Sequence, residues 1–254
     1  MADLVKPSIK EQLWHKMRRD LGKFVPEISA NQLLMCCCCG RFLPSEFFDL
    51  EHLIPQQALK ADPLTVRANP ATPNNVRSGN LLLCKKPLLY KGSKLYGSGC
   101  NSWKGRFYDK PISDILAGRT QDLKSDSRRV RNAHIIGGLM LAYLAMVAEY
   151  GYIVTLMPSG RLLREQFFNP DRFHRSLGTR YQILLAGAPF TDSDVGIWSK
   201  PFSFAFDRGA CLVTVRNFVI TVPMSRDPFA PISRHIRMAP SRFKMRPDFS
   251  TAFT

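Results

Sequence analysis

The stretch MCCCCGRFLPSEFFDLEHLIPQ, residues 35–56, decides how this chain is interpreted. Four consecutive cysteines, Cys36 to Cys39, are followed twelve residues later by a carboxylate and an imidazole side by side, Glu51 and His52. Thiolates and imidazoles bind transition metals, and a carboxylate beside a neutral imidazole suits hydrolysis assisted by a hard cation. The stretch therefore has two interpretations: a buried core in which the cysteines only pack, or a site built on metal.

The composition is that of a globular and strongly basic protein. The 254 residues are 45% hydrophobic and 22% charged, which excludes a chain that is disordered throughout. There are 36 Lys+Arg against 20 Asp+Glu, a formal net charge of +16. This excess favours a polyanionic partner, because basic side chains gain affinity by displacing counterions from phosphates. The composition therefore predicts a nucleic-acid partner; an inert basic surface and a membrane-facing surface are the alternatives.

The beginning of the sequence and the use of cysteine indicate the compartment. The first twenty residues lack the apolar core and small-residue cleavage site of a signal peptide. We therefore expect a cytoplasmic protein, in which clustered cysteines indicate metal binding or catalysis before disulfides. Cys211 stands apart in the apolar run ACLVTV and is predicted to be a core residue.

The spacing of the cysteines predicts a structural zinc site. A zinc knuckle has two residues between its cysteines, so that both sulfurs reach one tetrahedral ion, and Cys36 and Cys39 have this spacing. Cys84 and Cys100 are the predicted second pair. The two cysteines inside the first pair point elsewhere in this interpretation, but they remain alternative ligands.

Three segments resemble the motif of the HNH endonuclease family, the ββα-metal fold. They are EHLIP (51–55), GNLLLC (79–84) and CNSWKGRFYD (100–109). In that family an acidic residue and a histidine close the first strand, an asparagine precedes the third cysteine, and a His or Asn follows the last cysteine near a lysine. The resemblance covers about residues 36–109. It departs from the family pattern where 15 residues separate the third and fourth cysteines in place of two.

The resemblance implies catalytic roles for the matching residues. His52 would be the general base that activates a water molecule, because a neutral imidazole accepts a proton near pH 7. Glu51 and Asn101 would hold one Mg²⁺ or another divalent cation. Asn80 would hold the loop that bears His52. The zinc would be structural, and it would hold together a module that is too small for a core of its own.

The resemblance also implies a surface that binds the phosphate backbone. Lys104 would contact it, and so would Arg106. Between residues 85 and 131 there are 12 Lys or Arg against 4 Asp, the most basic part of the chain. The insertion between the third and fourth cysteines would project Lys85 and Lys86 beside the site. A solvated linker is the alternative interpretation of this basic stretch.

The pattern along the chain predicts an α+β fold in four parts. These are an N-terminal helix (1–30), an HNH module with structural zinc (31–124), a small α+β domain (125–225) and a basic, Pro-rich tail (226–254). In the third part, one long apolar helix would pack on an antiparallel sheet.

Individual elements follow from local signals. Ser8 and Glu11 form a capping-box pattern that predicts a helix over 8–21. Residues 133–152 predict a buried helix, with a membrane span as the alternative, since only sixteen of them run without a formal charge. The segments YIVTLMP, RYQILLAG, PFSFAF and ACLVTVRNFVITV are predicted to be strands.

Together these patterns predict a metal-dependent HNH endonuclease that hydrolyses the phosphodiester bonds of DNA, with RNA as a further substrate to be tested. The protein would not bind a membrane. A homodimer would bring two sites to the two strands of a duplex. The alternative of another class is a zinc-stabilised nucleic-acid-binding module without catalysis.

Overall fold

The computed structural model describes residues 7–61, 81–95, 98–116, 132–171, 182–183, 202–207, 210–215, 218–224 and 235–236. In this part of the chain, helices are combined with small, mostly antiparallel sheets, which confirms the predicted α+β class. Several predictions lie outside the described residues: the loop over 62–79, most of the basic stretch after residue 116, and nearly all of the tail.

The first helix, α1, spans Ile9–Gly22 and begins where the sequence predicts. The backbone N–H of Ser8 donates to Glu11 Oε2 over 2.7 Å, and the backbone N–H of Glu11 donates to Ser8 Oγ over 3.3 Å. This capping box satisfies amide groups that the first helical turn leaves without partners. Spacing of three and four residues places one apolar face of α1 in the core: Leu13, Trp14, Met17 and Leu21.

The four consecutive cysteines form the turn of a small hairpin. After a short helix, α2 (Ile28–Asn31), strand β1 (Leu34–Met35) pairs antiparallel with β2 (Phe42–Leu43). The turn is closed by a hydrogen bond from the Gly40 N–H to the Cys36 carbonyl, over 2.8 Å. Gly40 has φ 73°, a left-handed conformation that glycine adopts without the strain of a Cβ atom.

A second antiparallel pair carries the Glu-His motif. Strand β3 (Phe48–His52) pairs with β4 (Leu81–Lys85), and β3 ends at the histidine as predicted. Helix α3 (Gln56–Ala61) follows β3. After β4, the chain continues into two helices that cover this pair: α4 (Cys100–Phe107) and α5 (Asp109–Leu116).

The insertion between β4 and α4 contains a separate hairpin. Strands β5 (Leu89–Tyr90) and β6 (Ser93–Lys94) pair antiparallel. The two turn residues, Lys91 and Gly92, have φ values of 49° and 77°, as a two-residue turn that matches the twist of a hairpin requires.

The long apolar helix, α6 (Asn132–Tyr150), lies at the centre of the fold. By length and composition Ala133–Tyr150 passes as a membrane span, but 78% of this window is buried inside the protein, as in the core helix of a soluble protein. Helix α6 packs on a three-stranded antiparallel sheet, where the Tyr150 ring lies 5.3 Å from that of Phe204. The sheet has the order β10–β9–β8: β8 (Phe202–Asp207), β9 (Ala210–Val215) and β10 (Phe218–Pro223).

The strand prediction for YIVTLMP is wrong, because this segment forms helix α7 (Tyr152–Leu156). Gly151, with φ 77°, ends α6, and Pro158 is the first residue of α8 (Pro158–Phe167). Between these two residues, burial of Tyr152, Val154 and Thr155 outweighs the β propensity of Ile and Val. The strands predicted in PFSFAF and in ACLVTVRNFVITV are confirmed, and Cys211 is buried in the core as predicted. In RYQILLAG, only β7 (Gln182–Ile183) is described; it pairs in parallel with β11 (His235–Ile236).

The buried side chains on both sides of the gap at 117–131 belong to one core. Two tyrosine hydroxyls from the C-terminal half reach the cysteine turn. Tyr143 Oη donates to the Cys37 carbonyl over 2.8 Å, and Tyr152 Oη donates to the Met35 carbonyl over 2.5 Å. The predicted domain boundary at residue 124 lies outside the described residues, so the four-part division stays a prediction.

Candidate metal centre and active site

Six of the seven cysteines meet in one cluster. Four come from the turn between β1 and β2, Cys84 comes from β4, and Cys100 is the first residue of α4. Five of the six are buried, and Cys39 is half-buried. Three separate segments therefore deliver their thiols to one place that is largely shielded from water.

The sulfur geometry fits a soft metal. Sγ–Sγ distances are 3.7 Å for Cys36–Cys100, 3.5 Å for Cys37–Cys84 and 3.4 Å for Cys38–Cys84. A tetrahedral zinc ion with bonds of about 2.3 Å holds its sulfurs about 3.8 Å apart, close to these values. The donor set is therefore suited to zinc or an ion of similar preference.

The grouping of the thiols differs from the predicted zinc ligands. Sulfurs that lie within 4.8 Å of one another form two sets, Cys36 with Cys39 and Cys100, and Cys37 with Cys38 and Cys84. The predicted set combined Cys84 with Cys36, Cys39 and Cys100. Cys84 is drawn to the other set because β4 presents its thiol to the middle of the cysteine turn.

Hydrogen bonding among the thiols favours deprotonation of some of them. Burial raises the pKa of Cys36, but hydrogen bonds with the thiols of Cys100, Cys38, Cys39 and Cys84 bring it well below its usual range. The backbone N–H of Lys85 also donates to Cys36 Sγ over 3.3 Å. Hydrogen bonds with Cys38 and Cys84 lower the pKa of Cys37 to about 6. The pKa values of Cys38, Cys39, Cys84 and Cys100 are raised instead, so two of the six thiols are predisposed to the thiolate form that binds metal.

Lys104 occupies a different position from the predicted one. Its side chain is 1% exposed, and its ammonium lies 2.9 Å from Glu51 Oε1 and 2.7 Å from Asp109 Oδ1. It also donates to the His52 carbonyl over 3.0 Å. An ammonium has three donors, and all three are used here. Lys104 is therefore enclosed where a backbone phosphate does not reach it, and it holds the Glu51 carboxylate in place.

Glu51 is a buried carboxylate with one oxygen still to be satisfied. Its residue is 3% exposed, and within the described part of the chain its Oε2 atom has no hydrogen-bond partner. Burial raises the pKa of Glu51 to about 7, although the attraction of Lys104 acts in the opposite direction. A buried oxygen of this kind is suited to be the ligand of a cation. Because it has lost its hydrogen bonds to water, contact with a positive charge stabilises it strongly.

Asn101 and His52 each contact a residue near Glu51 in the sequence. Asn101, the second residue of α4, donates its side-chain N–H to the Leu50 carbonyl over 2.9 Å and so ties α4 to β3. His52 is half-buried at the end of β3, and its Nε2 lies 3.2 Å from the Gln56 amide nitrogen. With the amide as donor, Nε2 is the acceptor, and the ring has a fixed orientation.

Sequence reasoning missed Gln56 and Asp109. The sequence signal for Gln56 was its position. It stands four residues after His52 and directly after a proline, at the start of a helix. Asp109 gave a weaker signal, five residues after Lys104. Asn80, the remaining predicted catalytic residue, lies outside the described residues.

The predicted backbone-binding residues lie at or near the surface, apart from Lys104. Arg106 is exposed on α4, with its guanidinium 5.1 Å from the centre of the Phe107 ring. Lys85 and Lys86 are half-buried, and the Lys85 ammonium lies 3.4 Å from the Ser98 carbonyl. Their role in nucleic-acid binding stays a prediction.

The thiol cluster and the Glu-His pair share a scaffold. In the β3–β4 register, Cys84 lies opposite Asp49 and Leu82 lies opposite Glu51, so that the two sites are two residues apart along the same pair of strands. Helix α4 contributes to both, with Cys100 to one and Asn101 to the other. No protein-family model, curated protein or solved structure that was compared with this chain matches it.

Proposed function

We propose that this protein is a zinc-stabilised endonuclease of the HNH type that hydrolyses phosphodiester bonds of DNA with the help of a divalent cation. The observation that supports it best is the joining of two motif segments fifty residues apart in the chain. Asn101 bonds to the Leu50 carbonyl, and Lys104 bonds to Glu51 and to the His52 carbonyl. These contacts between β3 and α4 support the proposal, because they join the first and third of the three motif segments.

In the proposed site, each of these side chains has a separate role. Glu51, through Oε2, and Asn101, through its side-chain oxygen, would hold Mg²⁺. When bound, the cation supplies positive charge to the scissile phosphate and the leaving oxygen. His52 accepts a proton from the attacking water through Nε2, the acceptor that the Gln56 amide contacts in this structure, so the amide must give up this position to the water. Lys104 is a positioning residue, because it contacts the carboxylate and the β3 backbone instead of the substrate.

The zinc in this proposal is structural. The thiols hold the β1–β2 turn, β4 and the start of α4 together, and a metal bound by them joins these three segments. The basic surface, including Arg106, Lys85 and Lys86, would bind the phosphate backbone through counterion release.

The test is cleavage of supercoiled plasmid by the full chain with Mg²⁺ and with EDTA. We expect nicked or linear product with Mg²⁺, none with EDTA, and a loss of at least about 100-fold in His52→Ala, as for removal of a general base. His15→Ala is the matched control, because His15 is exposed on α1, and it should cleave normally. Zinc content should be equal in all three proteins.

The alternative function, a zinc-stabilised nucleic-acid-binding module, is favoured by the enclosure of Glu51 beneath Lys104. In that case the wild type and His52→Ala would be equally inert, while both would bind DNA with a steep salt dependence. That result would reject the nuclease proposal and keep the nucleic-acid partner.

A further inference from the structure

The cluster contains more thiols than one zinc ion uses. A structural zinc site takes four ligands, and six thiols are in contact here, five of them buried. With a single ion, two cysteines in the middle of the shielded cluster would remain without a metal. The pattern of contacts among the six sulfurs shows how all of them can be used.

The sulfur positions divide the six thiols into two sets of three. In each set the Sγ atoms lie within 4.8 Å of one another: Cys36, Cys39 and Cys100 form one set, and Cys37, Cys38 and Cys84 form the other.

Short sulfur contacts are found within each set. Cys36 Sγ lies 3.7 Å from Cys100 Sγ, and Cys84 Sγ lies 3.5 Å from Cys37 Sγ and 3.4 Å from Cys38 Sγ. The two sets adjoin, because Cys36 to Cys39 are consecutive residues of one turn. They are therefore two neighbouring three-thiol sites.

We infer that the cluster binds two zinc ions, or two ions of similar preference, one at each set of three thiols. Cys36, Cys39 and Cys100 hold one ion, and Cys37, Cys38 and Cys84 hold the other. Two tetrahedral ions need eight sulfur positions, and six thiolates fill them when each set shares one sulfur with the other. The proposal does not depend on nuclease activity.

The surroundings of the cluster suit the charge of such a centre. Six thiolates and two divalent ions leave a net charge of about −2, which needs nearby donors or cations in a buried site. The Lys85 N–H donates to Cys36 Sγ. Arg164 attracts the Cys37 thiolate, and its guanidinium lies against Gly40 at the end of the cysteine turn. Arg164 itself is held by a hydrogen bond to the Thr155 carbonyl.

The test is the metal content of the full chain, produced with added zinc and measured by elemental analysis and by native mass spectrometry. We expect two zinc ions per chain. After replacement by ¹¹³Cd, we expect two cadmium resonances with mutual coupling through shared sulfurs. One ion per chain, or a single cadmium resonance, would overturn the proposal. Both readouts use the wild type, so they do not depend on a variant that folds.

Variants then separate the second ion from the first. Cys37→Ser removes a ligand from the set of Cys37, Cys38 and Cys84, and we expect one zinc to be lost while the other stays. Cys211→Ser is the matched control, because Cys211 is buried in β9 outside the cluster, and it should keep two. A Cys37→Ser protein that retains the wild-type zinc content would contradict the assignment. Because no DNA is present, failure here is distinct from failure of the nuclease proposal.

Discussion

Lys104 Nζ lies 2.9 Å from Glu51 Oε1, and both side chains are almost fully excluded from solvent. Burial alone would lower the pKa of Lys104, but the attraction of Glu51 and Asp109 raises it above its usual range. The ammonium is thus kept charged, and it holds α4 against the end of β3. Removal of one partner from a buried ion pair is costly, because the other charge then has neither water nor a counter-ion.

Lys104→Met should therefore lower the free energy of unfolding by about 3–5 kcal/mol. Urea unfolding, followed by circular dichroism at constant zinc content, measures the change. Lys110→Met is the matched control, because Lys110 is exposed on α5, and its effect should stay within about 0.5 kcal/mol. Equal effects of the two substitutions would contradict the role given to Lys104.

The pH dependence of the free energy of unfolding should reflect the titration of the Glu51 carboxyl group. Its pKa is about 7 in the folded protein and near 4.5 when unfolded. Between these values the folded chain binds more protons than the unfolded chain, so its stability falls as the pH rises from about 4.5 to about 7. The full loss is about 3 kcal/mol, and it is complete above pH 7.

Glu51→Gln cannot titrate and serves as the comparison. In Mg²⁺-free buffer, the stability of the wild type relative to Glu51→Gln should decrease from pH 5 to pH 7 and then level off. The titration of the thiols is common to both proteins and cancels in the difference. Parallel stability curves for the two proteins would show that Glu51 is not shifted in this way.

Two glycines with the same φ should respond differently to substitution. Gly92 and Gly151 both have φ 77°, and Gly151 has ψ −158°, a combination that only glycine adopts readily. A Cβ at Gly92 would meet nothing within 4 Å, whereas a Cβ at Gly151 would overlap the Asp20 carboxylate. That carboxylate accepts a hydrogen bond from the Tyr152 N–H over 2.6 Å.

Gly92→Ala should thus cost only the left-handed strain, about 1–2 kcal/mol. Gly151→Ala should cost about 3 kcal/mol or more, because it also displaces Asp20 from the Tyr152 amide. The difference between their thermal midpoints measures the backbone strain at Gly151 and its clash with Asp20 together. If the two substitutions have the same effect, the contact between α1 and α7 is not as close as described.

Arg106 is the clearest candidate among the described residues for a contact with backbone phosphate. Arg106→Ala should weaken DNA binding similarly for all sequences and reduce the slope of log K against log salt by about 0.9. Arg19→Ala, on the exposed face of α1, is the matched control and should leave the slope unchanged. Fluorescence anisotropy over a series of salt concentrations gives both slopes.

Local signals predicted much of the fold and part of the site. Ser8 and Glu11 set the start of α1, the apolar run of α6 predicted a buried helix, and β3 ends at His52 as expected. Each of these features depends on residues close in sequence. The strand predicted over YIVTLMP failed because burial of Tyr152, Val154 and Thr155 decides its conformation.

The features that sequence reasoning missed depend on contacts between distant segments. The spacing rule for a zinc knuckle selected Cys36 and Cys39, but it carries no information about which thiols β4 will meet. The family resemblance likewise assigned Lys104 to the phosphate backbone, and the sequence around it gave no sign that its side chain is buried. Its burial becomes visible only when Glu51 and Asp109 are brought to it by β3 and α5.

The hydroxyl groups of Tyr143 and Tyr152 have a consequence for how the chain is made and how it can be divided. They hold the Cys37 and Met35 carbonyls, which lie more than a hundred positions earlier in the sequence. A ribosome therefore releases the cysteine turn long before its backbone partners exist. We expect the cysteine turn to reach its final structure only after α6 and α7 have been synthesised. The turn is therefore not an independent module, and a transplanted version needs α6 and α7 as well.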